Sequence, residues 1–406
     1  MYDAIVVGAR VAGAPTAMLL ARKGYRVLLV DRASFPSDTM STHYIHPPGV
    51  ALLKRWGVLA PIVATGYPLI SHLNMRVGPY RLSGWGPPSD GVAEVHAPRR
   101  TILDKILVDA AAAAGVEVRE RFSVQEILRD GGRVTGIRGH VPGGAPVTEQ
   151  ARVVIGADGI HSAVARAVDA PRYNERPALA CYYYSYWSGV GLSHVEYGAD
   201  GNGRVFGLFP TNEGLTVSFI GLQNHQFAAY RADIEGTFYR GMEACYPEMA
   251  ARLRAGRQEE RWAGTADLPN FFRKPYGPGW ALVGDAGYHK DPITGYGITD
   301  AFLQAQWLTE ALDAAFLGTK PWDEALSGYE QQRNAFDMPM YDFICLLASL
   351  QPLTPEQEAL FAALEHNQEA TNRFMGVIDG TVSAADFFSP DSLGSILAAA
   401  EPPVTA

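Results

Sequence analysis

Ala4-Ile5-Val6-Val7-Gly8-Ala9-Arg10-Val11-Ala12-Gly13 is the stretch whose reading decides the fold. Four consecutive apolar residues running into a glycine read as a strand buried on both faces of a parallel sheet. Residues 13–23 read as a helix with a small-residue face, stopped by Gly24. Residues 25–30 read as the next strand, ending at Asp31. A strand, a helix and a strand within roughly 30 residues make a parallel unit with a right-handed crossover. Gly8 permits the tight turn out of the strand, and Gly13 permits close helix-strand packing. The start of the helix offers unpaired N–H groups and the positive end of its dipole, a setting that suits a pyrophosphate. Arg10 stands where a second glycine would let the backbone approach that group. Asp31, at the end of the second strand, is placed to accept hydrogen bonds from ribose hydroxyls, with Arg32 beside it.

Two later segments repeat the pattern. Val153-Val154-Ile155 runs into Gly156-Ala157-Asp158-Gly159, and Ala281-Leu282-Val283 runs into Gly284-Asp285. The second continues through Asp291-Pro292, Gly295 and Gly297 into a helix. A carboxylate at the carboxyl end of a strand can hold sugar-like hydroxyls, while the following helix start faces phosphate or a ring edge. Either aspartate can equally be a simple helix N-cap.

Between these segments, residues 101–114 read as a helix. Strands near 124–128, 133–140 and 151–155 form an antiparallel meander. Residues 68–98 and 171–270 are dense in aromatics, Pro and Gly and alternate in polarity, the texture of an inserted antiparallel sheet. From about residue 329 the pattern is helical, and Thr354-Pro355-Glu356-Gln357 fits a capping box. This organisation predicts three parts. The first is a discontinuous nucleotide domain of residues 1–67, 99–170 and 271–335. The second is a substrate domain of 68–98 and 171–270, and the third is a helical segment of 336–406.

The composition excludes several classes. With 47% hydrophobic and 19% charged residues over 406 positions, the chain reads as globular. A net charge of -9 without a basic cluster argues against nucleic acid. The three cysteines, Cys181, Cys245 and Cys345, have neither metal-ligand nor redox spacing, so no metal site and a reducing cytoplasm are expected. No apolar run approaches the roughly 20 residues of a membrane span, and no secretory signal pattern opens the sequence.

Taken together, segments 4–13, 156–159 and 284–297 resemble the FAD-dependent monooxygenase superfamily of the p-hydroxybenzoate-hydroxylase type. Flavin halogenases and geranylgeranyl reductases are its relatives. The resemblance spans roughly residues 1–335. It implies an α/β, Rossmann-like FAD-binding domain with an inserted, mostly antiparallel β-sheet substrate domain and a helical tail. It assigns FAD to Gly8, Arg10, Gly13, Asp31, Arg32, Arg100, Asp158, Gly159, Gly284, Asp285, Pro292, Gly295 and Gly297. NAD(P)H is expected as a transient co-substrate, since no second nucleotide fold is visible. Tyr288 and Thr299 depart from the His and Asn common at those positions. The Trp-x-Trp-x-Ile-Pro signature of halogenases is absent: no two of the seven tryptophans lie two residues apart.

The resemblance implies an oxygenase that hydroxylates or epoxidises an aromatic or polyketide-like small molecule with O2, through a flavin C4a-hydroperoxide. Reduction of a prenyl-type double bond, halogenation and a non-catalytic sensor role are the alternatives. Such chemistry needs a dry pocket and, for a phenol, a base. Tyr184, Tyr186, Phe206 and Leu208 are candidate pocket residues, although strand aromatics are more often core than pocket. His43, Asp291 and Pro292 are the candidate catalytic residues, with His46 and His289 as further acid-base candidates. The substrate and the oligomeric state are not legible.

Overall fold

The computed structural model describes residues 1–400. The opening strand, Tyr2–Val7, pairs in parallel with Val27–Val30 on one side and Val147–Gly156 on the other. Trp280–Leu282 extends the sheet beyond Val147–Gly156, also in parallel, and Glu117–Arg119 lies outside Val27–Val30. Alternation divides the first strand between two cores. Ala4 and Val6 join the cluster that includes Ala14, Ala17, Ala301 and Ala305 on the covering helices. Ile5 and Val7 join Phe122, Val134 and Ile137, beneath the antiparallel meander.

Register then positions the site. Val7 lies opposite both Val30 and Gly156, and Gly156 lies opposite Leu282. Four adjacent strands therefore end at one edge of the sheet. There the turn at Gly8, Asp31, Asp158 and Asp285 follow those strands directly, where ligands of open α/β sheets bind.

The second sheet contains Leu73–Val77, Tyr80–Gly84, Ala180–Ser188, Val195–Ala199, Arg204–Pro210 and Thr216–Gln223. Its pairs are antiparallel except Val195–Ala199 with Leu73–Val77. One face buries Tyr183, Trp187, Phe206 and Leu208 against Phe238, Met242, Tyr246 and Leu253, from the helices Ile234–Cys245 and Pro247–Ala255 and their junction. The other face carries Tyr182, Val205, Phe209 and Val217 and is covered by the carboxyl-terminal helices. Those helices contribute Leu364, Phe374, Met375, Val377 and Phe387, all buried. Full burial of such a side chain contributes about 1.5–3 kcal/mol, so this segment is held as part of the fold.

The helix Trp322–Ala348 runs unbroken across position 335, with Pro339 inside it. The helical segment therefore grows directly out of the first domain. Thr354 caps the helix Pro355–Glu365 in the anticipated box: its side chain accepts from the Gln357 N–H, and the Gln357 side chain accepts from the Thr354 N–H.

Candidate active site

The strand ends open onto a cavity of about 1790 Å³. It is larger than the roughly 300–1,000 Å³ of a drug-sized pocket. It runs from the Gly8 turn, past the 292–297 loop, to the space between the second sheet and the carboxyl-terminal helices.

At the first end, local geometry requires glycine. Gly8 has φ +102°, and a Cβ there would sit 2.3 Å from the Ala157 carbonyl oxygen. A Cβ on Gly13 would sit 1.8 Å from the Gly8 carbonyl oxygen. Among the described residues, the N–H groups of Arg10, Val11 and Ala12 have no protein acceptor, and all three residues line the cavity. Asp31 accepts from the Ala9 N–H at 2.7 Å with one carboxylate oxygen and from the Ala33 N–H at 2.7 Å with the other. The carboxylate is thereby oriented, and each oxygen keeps a lone pair for a further donor.

Arg10, the departure from a second glycine, swings its side chain aside. Its guanidinium donates to Asp104 at 2.6 Å and to the Ser37 and Asp38 segment. Arg100 donates to the same Asp104 through Nε at 3.0 Å. Two guanidiniums thus share one fully buried carboxylate, which leaves a net positive charge at a wall of the cavity. Asp104 was not anticipated, because its partner Arg10 is distant in sequence. The only local signal was its i,i+4 spacing from Arg100.

Asp158 accepts from the Ala163 and Val164 N–H groups with one oxygen, as a capping residue does, while its other oxygen is buried without a partner. Asp285 is exposed to the cavity and has no protein donor among the described residues. Gly159 and Gly297 line the cavity with open space where a Cβ would stand. Gly295, at φ +70°, lets its loop approach Tyr44, 2.9 Å from the would-be Cβ. Free N–H donors, net positive charge, open carboxylates and bare glycine backbone fit the phosphates, hydroxyls and ring edge of FAD. Arg32 and Pro292 line the same space.

The acid-base candidates do not all reach the cavity. His43 is fully buried at φ 60°, and its Nε2 lies 2.5 Å from the Tyr186 hydroxyl. Burial, with Arg100 and Arg99 nearby, pushes its pKa down to about 3. At so low a pKa the imidazole is a weak base, and His43 is not among the residues that line the cavity, which corrects its assignment as a catalytic residue. His289 lines the cavity and donates through Nδ1 to the Pro269 carbonyl at 2.6 Å. His46 lines the cavity as well: Nε2 donates to the Thr294 carbonyl at 2.8 Å, and Nδ1 lies 3.3 Å from Asp379 Oδ1. That histidine ties the 292–297 loop to the carboxyl-terminal helix Gln368–Asp379.

Asp291 is buried and turned toward the second sheet. The Tyr182 hydroxyl donates to its Oδ1, the Ile293 N–H donates to the same oxygen at 3.0 Å, and Oδ2 has no partner. Burial raises its pKa to about 7, against the lowering effect of the Tyr182 and Ile293 hydrogen bonds. Tyr182 itself lines the cavity. Deeper in the loop, the Lys290 ammonium donates to Asp300. Asp337, close to Asp300, is pushed well above the usual carboxylate range by burial and by that neighbouring charge.

The pocket candidates separate by strand parity. Tyr184 lines the cavity. Tyr186 is on the same sheet face but is buried between His43 and the Arg99 guanidinium, which lies 4.3 Å over its ring. Phe206 and Leu208 point to the opposite face, against Phe238 and its helix, and this corrects their assignment. Their neighbours Val205 and Phe209 line the cavity instead, because successive strand residues point to opposite faces.

Comparison with known proteins agrees with this geometry. Residues 1–344 match the FAD binding domain family. Digeranylgeranylglycerophospholipid reductase 2 of Methanopyrus kandleri is 27% identical over 311 residues, covering 73% of this chain and 73% of the relative. Squalene epoxidase of Schizosaccharomyces pombe is 25% identical over 332 residues, covering 76% of this chain and 68% of the relative. The solved structure of a flavin-dependent brominase superposes with a TM-score of 0.80 at 17% identity over 98% of both chains, a likeness of fold.

Proposed function

We propose, from the premise that the chain belongs to the FAD binding domain family and is an FAD-dependent oxidoreductase, that it is a monooxygenase. It takes electrons from transiently bound NAD(P)H and delivers an oxygen atom of O2 to an aromatic or polyketide-like small molecule. Bound FAD would supply the electron transfer and the oxygen activation. The observation that carries the reading is the continuity of the cavity. The strand ends that would hold the cofactor open directly into an apolar chamber roofed by the carboxyl-terminal helices. A chamber that excludes water protects a reactive oxygen species from unproductive decay.

The chain's own contributions follow from the residues in place. The Gly8 turn, Asp31, Arg100 and Asp285 would bind and orient the cofactor. Pro292, Gly295 and Gly297 would present its ring to the chamber. Tyr182 faces the chamber with its proton already directed at Asp291. A substrate hydroxyl seated against Tyr182 would pass its proton to the Tyr182 oxygen, while Tyr182 passes its own to Asp291 Oδ1. The raised pKa of Asp291 suits it to receive a proton near neutral pH.

The apolar chamber and the reductase of Methanopyrus kandleri also favour a second reading, reduction of a prenyl-type double bond. One experiment separates the two. FAD-loaded protein is mixed anaerobically with NADH or NADPH and a panel of phenolic and prenyl ligands, and the flavin absorption is followed before oxygen is admitted. Ligand-accelerated bleaching followed by labelled oxygen in the product supports the monooxygenase. A saturated product formed without oxygen overturns it in favour of the reductase, and a halide-dependent product points to halogenation.

A further inference from the structure

We propose that the substrate is an uncharged, elongated, largely apolar molecule lying along the strands of the second sheet and reaching at least the row of Ala199 and Val77. The cavity floor is built in rows by strand pairing. Phe209 stands next to Tyr44, whose ring lies 5.6 Å from it and whose residue abuts Gly295 of the 292–297 loop. Val195 belongs to this first row, since Leu208 pairs with Glu196. Two residues on, Phe219 and Tyr197 flank Gly207, and Met75 pairs with Tyr197. Two residues further, Ala199 pairs with both Val205 and Val77. The four-residue step from Val195 to Ala199 gives roughly 13 Å of floor beyond the row nearest the loop.

Charge in this part of the wall is already matched. Arg204 holds Asp200 at 2.6 Å, Asp342 holds Arg176 at 2.5 Å, and Asp379 faces His46. Among the described residues of this floor and its helical roof, none offers a free cation to a carboxylate or phosphate. Burying such an anion unpaired is costly. The polar groups left are uncharged and include the hydroxyls of Tyr44 and Tyr197, which have no protein partner among the described residues; both residues line the cavity. Uncharged hydrogen-bonding groups on an apolar frame match this wall.

The orientation rests on the flavin reading of the 292–297 loop, but the test does not, since binding needs neither reductant nor oxygen. FAD-loaded full-length protein is titrated by calorimetry with 4-alkylphenols of increasing chain length and with their ω-carboxylated counterparts. Affinity should rise about fourfold per methylene until a break, and the carboxylates should bind at least about tenfold more weakly. Ala199→Trp should move the break to shorter chains and leave the affinity of 4-methylphenol within about twofold. If that variant loses FAD or folds poorly, Val77→Phe, in the same row, replaces it. An affinity independent of chain length, carboxylates that bind as tightly, or a variant that weakens every member equally would each overturn the proposal. Loss of monooxygenase activity with an intact length series would count against the functional reading alone.

Discussion

Replacing Asp291 by Asn tests the buried carboxyl at the junction of the cavity and the cofactor loop. Asp291 is held out of water with Oδ2 unpartnered, and its pKa stands at about 7 in the folded chain. In the unfolded chain an aspartate titrates at about 3.9. The folded state therefore binds more protons than the unfolded state between these values, so the contribution of Asp291 to stability is full below about pH 4. That contribution is lost as pH rises through about 7. A difference of about three pKa units sets a ceiling of roughly 4 kcal/mol, of which about 2–3 kcal/mol falls between about pH 5 and pH 8. Asn has no such titration, and its Oδ1 can still accept from the Tyr182 hydroxyl and the Ile293 N–H. Melting of the FAD-loaded wild type and Asp291→Asn at both pH values isolates the effect. Between those two pH values the wild type should lose about 2–3 kcal/mol relative to the variant, a shift of roughly 3 °C for a chain of this size. Parallel pH profiles, within about 0.5 kcal/mol, would refute the reasoning.

Gly8→Ala should abolish FAD binding or folding, because its Cβ would overlap the Ala157 carbonyl at a backbone angle that disfavours side chains; flavin content after purification reads this out. Asp104→Asn leaves Arg10 and Arg100 without their shared counter-charge and should destabilise the FAD-free protein by about 3–5 kcal/mol. Added FAD should recover part of that loss through its phosphates, and equal melting shifts with and without FAD would contradict the assignment. Phe206→Ala should cost about 3–5 kcal/mol of stability and leave alkylphenol binding unchanged. Phe209→Ala, on the opposite face of the same strand, should weaken alkylphenol binding, and calorimetry on both variants checks the parity.

The cofactor half of this protein was the more legible in sequence. A strand ending in glycine and a helix beginning beside it are local events, so the turns at Gly8, Asp158 and Asp285 could each be read from a few residues. The alternation of residues 182–187 and 203–222 likewise announced a sheet. What alternation could not state is which face looks inward: Phe206 and Val205 are equally apolar, and a one-residue change in parity exchanges core for cavity. The packing of the helices Ile234–Cys245 and Pro247–Ala255 on one face and the carboxyl-terminal helices on the other made that choice. The burial of His43 behind Tyr186, the sharing of Asp104 by two arginines and the link from His46 to Asp379 bring together residues between 94 and 333 positions apart. Local periodicity determined the elements and the phosphate turn; the acid-base environment and the shape of the chamber depend on desolvation and contacts that exist only once distant segments are packed together.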